Sequence, residues 1–386
     1  MMQQQWRPPF IGAGVQLYST KQMYAQIIYV LFISLTISFY TTQYVTRASY
    51  AQRIGVLECI LVILAALCLL TLSIIGLIWY TRHLHEAQRP FWWTLLLLSL
   101  LLAQYVQYEQ AEIQKSLYPG AAAIYNDITP RDNIPFYQSY EDVILDRPVF
   151  YQYDQCQAMY LVEIRKCSYG VVDDPDYVLA LVAGSHSAHW FPAIEPLAEE
   201  LNFRIDIYNH DGCRFTDEDP DGHLTEQCIE WNANLINVLK QNPPDVVFTT
   251  ASLNKRNYVP RGYIRQWERL EGYSTVFAIR DTPRMNEPTP ACLQQHNDEI
   301  EPCSMPRDEA LSREVPWENA DNIPSNVVFG DLSDYFCDDT TCYPVIGNIL
   351  IYRDQHHLTS SYVKTLAPVL RPYLVEAFEK SETIKR

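Results

Sequence analysis

Tyr177 to Leu201, reading YVLALVAGSHSAHWFPAIEPLAEEL, constrains the fold more than any other stretch. Tyr177 to Ala183 is a continuous apolar, β-prone run that stops at Gly184-Ser185-His186. Ile194, Leu197, Ala198 and Leu201 then recur at helical spacing. A strand, a tight glycine turn and a helix set one polar side chain at the C-terminal end of a central strand. Open α/β sheets bind ligands at that edge, and a serine there is exposed as a nucleophile is. An ordinary strand–loop–helix with a solvated serine gives the same pattern, so the rest of the chain has to decide.

The alternation continues downstream. Arg204 to Asn209 reads as a second strand and leads into His210-Asp211-Gly212-Cys213. Leu224 to Leu239 is an amphipathic helix, Asp245 to Thr250 a third strand, and Thr275 to Ile279 a fourth, running into Arg280-Asp281-Thr282-Pro283. Asn326 to Phe329 is a fifth strand, Ile346 to Tyr352 an extra one, and Thr359 to Phe378 a closing helix. This rhythm predicts a mostly parallel sheet with helices on both faces.

Ahead of this part lie three apolar segments, Ala25 to Thr41, Gly55 to Tyr80 and Phe91 to Val106. Each is near the roughly 17–25 residues that span a bilayer. Trp79, Tyr80, Trp92, Trp93, Tyr105 and Tyr108 sit at their ends, as an interfacial belt requires. Glu58, close to the interface, reads as a solvated carboxylate. The loop carrying Arg82, His83, His85 and Arg89 is more basic than the one carrying Arg47 and Arg53, which favours the cytoplasm for it. Three spans then leave everything after Tyr108 outside the cytoplasm.

The cysteines point the same way. Cys59 and Cys68 lie in an apolar run and read as buried thiols. The other eight form neighbouring couples: Cys156 with Cys167, Cys213 with Cys228, Cys292 with Cys303, and Cys337 with Cys342. No couple has zinc-knuckle spacing, so disulfides in an oxidising compartment are the better reading, with the pairing taken from proximity. No phosphate-binding glycine loop occurs either, and neither a cofactor nor a metal is expected. The formal net charge of -17 argues against a nucleic-acid partner. The expected organisation is a membrane region over residues 1–108, a Tyr- and Pro-rich linker packed on the soluble domain over 109–176, and an extracytoplasmic domain over 177–386.

Serine acyl chemistry needs a nucleophile, a base, a group that orients the base, and oxyanion donors. Ser185 is the candidate nucleophile. The last turn, Arg353-Asp354-Gln355-His356-His357-Leu358, supplies a carboxylate three residues before a histidine, which can hold the imidazole tautomer. A solvated Asp/His pair at a helix start fits those residues as well.

The combination resembles a known family. AGSHSAHW at Ala183 to Trp190 resembles the G-D-S-H-x-x-x-W block of SGNH-type hydrolases and transferases, and DQHHL at Asp354 to Leu358 resembles their D-x-x-H-L block. Over roughly Cys156 to Leu370 the chain is similar to the SGNH domain fused behind the membrane acyltransferase-3 domain. Those proteins O-acetylate cell-surface polysaccharide, lipopolysaccharide or peptidoglycan. Cys167-Ser168-Tyr169-Gly170, Asp211-Gly212-Cys213, Ile279-Arg280-Asp281-Thr282-Pro283 and Cys337…Cys342 match as well.

The resemblance implies a flavodoxin-like three-layer α/β/α sandwich. It implies Ser185 as nucleophile, His357 as base with His356 the alternative, and Asp354 as orienting acid. Oxyanion donors would be the Ser185 and Gly212 N–H groups, with Asn254 as a further one. His186 and His189 read as packing residues at the helix start, and Arg280 and Asp281 as a salt bridge or a substrate contact. Two departures stand out. The family's Gly-Asp-Ser is Ala183-Gly184-Ser185 here, and three spans are fewer than a complete acyltransferase-3 domain has. The expectation is therefore a membrane-anchored O-acyltransferase of the bacterial inner membrane, with its SGNH domain in the periplasm, a glycan acceptor, surrounding membrane lipid, and an acyl donor supplied by a separate membrane acyltransferase. The alternatives are an acetyl esterase on glycans, or a degenerate SGNH domain that binds glycan or a partner acyltransferase.

Overall fold

A computed structural model of the protein describes residues 101–384 apart from 102, 103, 106, 110, 154, 155, 157–160, 220, 221 and 254. The chain divides into two compact units, residues 1–111 and 112–386. The three expected membrane segments, apart from a few residues after 100, lie outside the described residues, as do Glu58, Cys59 and Cys68. Among the described residues no helix is long and apolar enough to cross a membrane.

A six-stranded sheet organises the second unit. Its strands in chain order are β1 (Cys167–Gly170), β2 (Tyr177–Ala183), β3 (Phe203–Asn209), β4 (Val246–Thr250), β5 (Thr275–Ile279) and β6 (Val327–Gly330). The spatial order is β1-β3-β2-β4-β5-β6; β1 runs antiparallel to β3 and every other pairing is parallel. Without β1, this is the doubly wound flavodoxin-like order, whose switch point lies between β2 and β4.

The helices that bear on the sheet and the site include α1 (Ser185–Ala188), α2 (Phe191–Glu200), α3 (Glu226–Gln241), α4 (Arg261–Arg269), α5 (Thr289–Gln295), α6 (Ser360–Lys364) and α7 (Ala367–Ile384), beside three single-turn α-helices elsewhere among the described residues. β2 is apolar throughout because both of its faces are covered. Leu179 and Leu181 pack with Phe191, Ile194 and Leu197 of α2 and with Leu370, Leu374 and Phe378 of α7. Ala180 and Val182 face the opposite layer, with Trp231 and Leu235 of α3 and Tyr263 and Trp267 of α4. The Thr225 side chain caps α3 by accepting the Cys228 N–H, a contact worth about 1 kcal/mol.

Some elements differ from the sequence reading. Ile346 to Tyr352 is not one strand: Val345–Ile346 and Ile349–Leu350 form a hairpin turning at Gly347 and Asn348, both at positive φ (57° and 62°). A two-residue turn with both central residues left-handed is the kind that matches strand twist. The closing helix is two helices, α6 and α7. β1 adds an edge strand ahead of the first predicted one, while α4 and α5 are additional helices. All four cysteine couples are disulfide-bonded as proximity suggested.

The hairpin also anchors the start of this unit. The Asn348 amide donates to the carbonyls of Leu117 and Arg131, at 3.0 Å each. The Tyr137 N–H donates to Asn348 O at 2.9 Å. A Cβ at Gly347 would lie 2.3 Å from the Gly120 backbone, so no larger residue fits between them.

Candidate active site

Ser185 follows β2 at the sheet's switch point. The chain reaches it through Ala183, which adopts φ 88° although it carries a Cβ. Such a conformation costs of order 1–3 kcal/mol and persists only where the surroundings hold it. Gly184 then caps α1 in an extended conformation. A Cβ on Gly184 would lie 2.6 Å from Cys213 O and 3.2 Å from His210 O. Those carbonyls belong to a turn closed by the Cys213 N–H donating to His210 O at 2.9 Å, with Gly212 at φ 76°. The Cys213–Cys228 disulfide ties this turn to α3. Backbone therefore occupies the space that the Cβ of an aspartate at position 184 would need.

The loop after the Ile349–Leu350 strand brings Asp354 and His357 to the serine. A Tyr352–Leu358 bridge and the Arg353 N–H donating to His357 O at 2.9 Å close this loop. Ser185 Oγ lies 2.8 Å from His357 Nε2, and His357 Nδ1 lies 2.7 Å from Asp354 Oδ2. The other Asp354 oxygen accepts the backbone N–H groups of His356 and His357, at 2.9 and 2.8 Å. Burial pushes the Asp354 carboxyl up, but the His357 ring and these two N–H donors outweigh it and hold the carboxyl below its usual range. Burial lowers His357, assisted by the nearby His186 and opposed by Asp354, so the ring is neutral at neutral pH. Its Nδ1–H donates to Asp354 and its Nε2 accepts the Ser185 hydroxyl, which is the arrangement a general base needs.

Of the expected oxyanion donors, the Ser185 and Gly212 N–H groups lie in the two backbone segments that meet at Gly184. Neither is spent on a backbone carbonyl among the described residues. Asn254 lies outside the described residues. His356, the alternative base, does not sit on the serine: its Nδ1 faces His186 Nε2 at 2.9 Å.

A second carboxylate–histidine pair stands beside the first. His186 Nδ1 lies 2.6 Å from Asp281 Oδ1, while an Arg284 nitrogen lies 3.4 Å from His186 Nε2. His186 is therefore more than a packing residue, and Asp281 is its anchor. Both fall within blocks that match the family, and that was the available signal; nothing in their spacing couples them. Arg280, by contrast, is structural. Its guanidinium is buried, pairs with Asp331 at 2.8 Å and donates to Ser312 O at 2.6 Å. His189 is buried as expected, with no hydrogen-bond partner for either ring nitrogen among the described residues, and burial lowers it well below the ordinary histidine value. Tyr151, ahead of β1, donates to Asp211 Oδ1 at 2.7 Å beside the Gly212 turn.

Comparison with known proteins agrees with the resemblance. The profile of the family described as "SGNH domain (fused to AT3 domains)" matches residues 152–372. One solved structure, the lipopolysaccharide acetyltransferase periplasmic domain of Salmonella ser. Paratyphi A, is 18% identical. The match covers 62% of this chain and 100% of that one, with a TM-score of 0.45. No curated protein matches the chain.

Proposed function

Because the chain belongs to the family of SGNH domains fused to acyltransferase-3 domains, we propose that it is a membrane-anchored O-acyltransferase that moves an acetyl group onto a cell-surface glycan through a serine acyl-enzyme. The observation that carries this reading is the continuous chain Ser185–His357–Asp354, with contacts of 2.8 and 2.7 Å. Neutral His357 takes the Ser185 proton as Oγ attacks the acyl carbonyl. The carbonyl oxygen becomes an oxyanion facing the N–H groups of Ser185 and Gly212. The His357 imidazolium, held by Asp354, then returns the proton to the departing donor oxygen, leaving acetyl on Oγ. A sugar hydroxyl gives its proton to His357 and attacks the ester; as the acyl–Oγ bond breaks, His357 returns that proton to Ser185 Oγ and the sugar leaves acetylated. Water in its place would make the protein an esterase. General base catalysis of this kind is worth about 10²–10⁴ in rate.

The four disulfides support an oxidising compartment, here the periplasmic side of the bacterial inner membrane. The apolar segments of residues 1–106 would anchor the chain in lipid. A separate membrane acyltransferase would supply the acyl group. The test uses the whole 386-residue chain in mild detergent and follows acetate release from a chromogenic acetyl ester. Turnover in the wild type that disappears in both Ser185→Ala and His357→Ala supports the acyl-enzyme, and acetylation of added oligosaccharides separates transfer from hydrolysis. A folded wild type as inactive as the variants would overturn the reading in favour of a binding domain.

A further inference from the structure

His186, His356 and His357 each present one ring nitrogen to a common point, and the three nitrogens lie within 4.8 Å of one another. Two of them are already oriented as metal ligands are. Asp281 holds His186 by Nδ1 and Asp354 holds His357 by Nδ1, which leaves Nε2 of each ring as the ligand atom; the His186 one now meets His356 and the His357 one meets Ser185 Oγ. A carboxylate on the far nitrogen is the usual outer support of a metal-bound imidazole. His356 closes the set with Nδ1, 2.9 Å from His186 Nε2. Zinc–imidazole bonds of about 2.0–2.1 Å put tetrahedral ligand nitrogens roughly 3.3 Å apart. To meet that, the His186–His356 pair, now at 2.9 Å, has to open by a few tenths of an ångström, and any separation nearer the 4.8 Å limit has to close. His186, protonated on Nδ1 toward Asp281, accepts at Nε2, so His356 now carries its proton on Nδ1. Metal binding asks His356 only to move that proton to Nε2.

We propose that these three histidines form a site for a divalent transition-metal ion, Zn²⁺ being the best fit, and that the ion switches the serine centre off. The ion takes His357 Nε2, the nitrogen that accepts the Ser185 proton, and Ser185 Oγ or a water fills the fourth position. Imidazole ligands without a ligating carboxylate or thiolate select Zn²⁺, Cu²⁺ or Ni²⁺ over Mg²⁺ and Ca²⁺. Two cations oppose it: the Arg284 guanidinium, 3.4 Å from His186 Nε2, has to give way, and Arg353 also bears on His357. Zinc spacing motifs miss the site because His186 lies 170 residues from His356.

The inhibitory role rests on the serine mechanism proposed above; the binding site does not. Two readouts keep them apart. The first is Co²⁺ absorption on the whole chain, which needs no turnover: one equivalent should give the visible bands of a four-coordinate His site. His356→Gln should weaken Co²⁺ binding at least about tenfold, the low end of what even an outer-shell change costs, and Arg284→Gln should strengthen it. The second is ester turnover. Zn²⁺ should inhibit the wild type reversibly, Mg²⁺ should not, and His356→Gln should need at least about tenfold more Zn²⁺. Absence of Co²⁺ bands in the wild type, or equal metal affinity in wild type and His356→Gln, would overturn the proposal. Metal binding without inhibition of an active enzyme would overturn the switch.

Discussion

Replacing Gly184 with aspartate would restore the family's residue before the nucleophile, and sequence comparison alone predicts a gain. The structure predicts a loss. A Cβ at 184 would lie 2.6 Å from Cys213 O, about 0.8 Å short of ordinary contact. The obstacle is backbone, held by the Cys213–Cys228 disulfide and by the turn's own hydrogen bond, so it cannot swing aside like a side-chain tip. Overpacking of this kind costs about 1–3 kcal/mol, a fall in Tm of roughly 2–12 °C for a unit of this size. A carboxylate pressed toward two carbonyl oxygens adds repulsion. The turn carries the Gly212 N–H, and a displacement near 1 Å at a catalytic group costs about 10²-fold in rate. Gly184→Asp should therefore lower Tm in a thermal-shift assay and lower kcat for an acetyl ester by about 10², with little change in KM. Gly184→Ala separates sterics from charge, since it carries the same Cβ and should show most of the Tm loss. A Gly184→Asp protein with wild-type Tm and turnover would show that the turn yields freely and refute the reasoning.

Ala183→Gly should act in the opposite direction. It relieves φ 88°, and the relief less the added chain entropy leaves a gain of up to about 1 kcal/mol, seen as a higher Tm. Acid should both inactivate and destabilise the protein. His189, His356 and His357 are all lowered by burial, His356 to about 3. Groups depressed in the folded state contribute stability that is full above their unfolded value of about 6.5 and lost as pH falls below it. Asp354 is also depressed, but its contribution is lost only below about pH 4. A fall in Tm between pH 7 and pH 5 is thus a histidine effect, and His189→Leu should flatten it; an unchanged slope would contradict this. The acid limb of kcat/KM should lie below pH 6.5. A soluble fragment beginning at Glu112 should also melt higher than one beginning at Gln138, which loses the Leu117 and Arg131 carbonyls bound by Asn348.

How far the sequence could be read follows from what kind of contact each feature rests on. Four of the five parallel strands were legible because strands covered on both faces are mostly apolar or β-branched, as Val246–Thr250 and Thr275–Ile279 show, and β3 kept a β-prone pattern despite Arg204 and Asp206. β1 was not, because Cys167–Gly170 is half-exposed edge and half polar. The disulfides were legible because their partners are only 5 to 15 residues apart. Asp354 and His357 were legible for the same reason of short range. The His186–Asp281 pair, 95 residues apart, was not. Each member has a sufficient local explanation, helix-start packing for one and a salt bridge with Arg280 for the other. Only the fold, by bringing the C-terminal ends of β2 and β5 to one edge of the sheet with β4 between them, shows that they meet.

Why the proposed base is His357 and not its neighbour His356 follows from one carboxylate. Asp354 Oδ1 is committed to the backbone N–H groups of both histidines. That curls the loop so that the remaining oxygen meets the ring three residues on. His356 stacks on His186 instead, with ring centroids 5.0 Å apart. Asp354→Asn keeps a carbonyl oxygen for the two backbone donors but turns an NH₂ toward His357 Nδ1. The ring must then accept there and carry its proton on Nε2, where it can no longer accept from Ser185. Turnover of the acetyl ester should fall by about 10²–10⁴, with the protein still folded because the backbone hydrogen bonds survive. His356 cannot substitute, since its Nδ1 already faces His186. Adding His356→Gln to Asp354→Asn should therefore change the residual rate little. Residual activity within tenfold of wild type, or activity that then vanishes with His356, would assign the base to His356 and overturn this account of the loop.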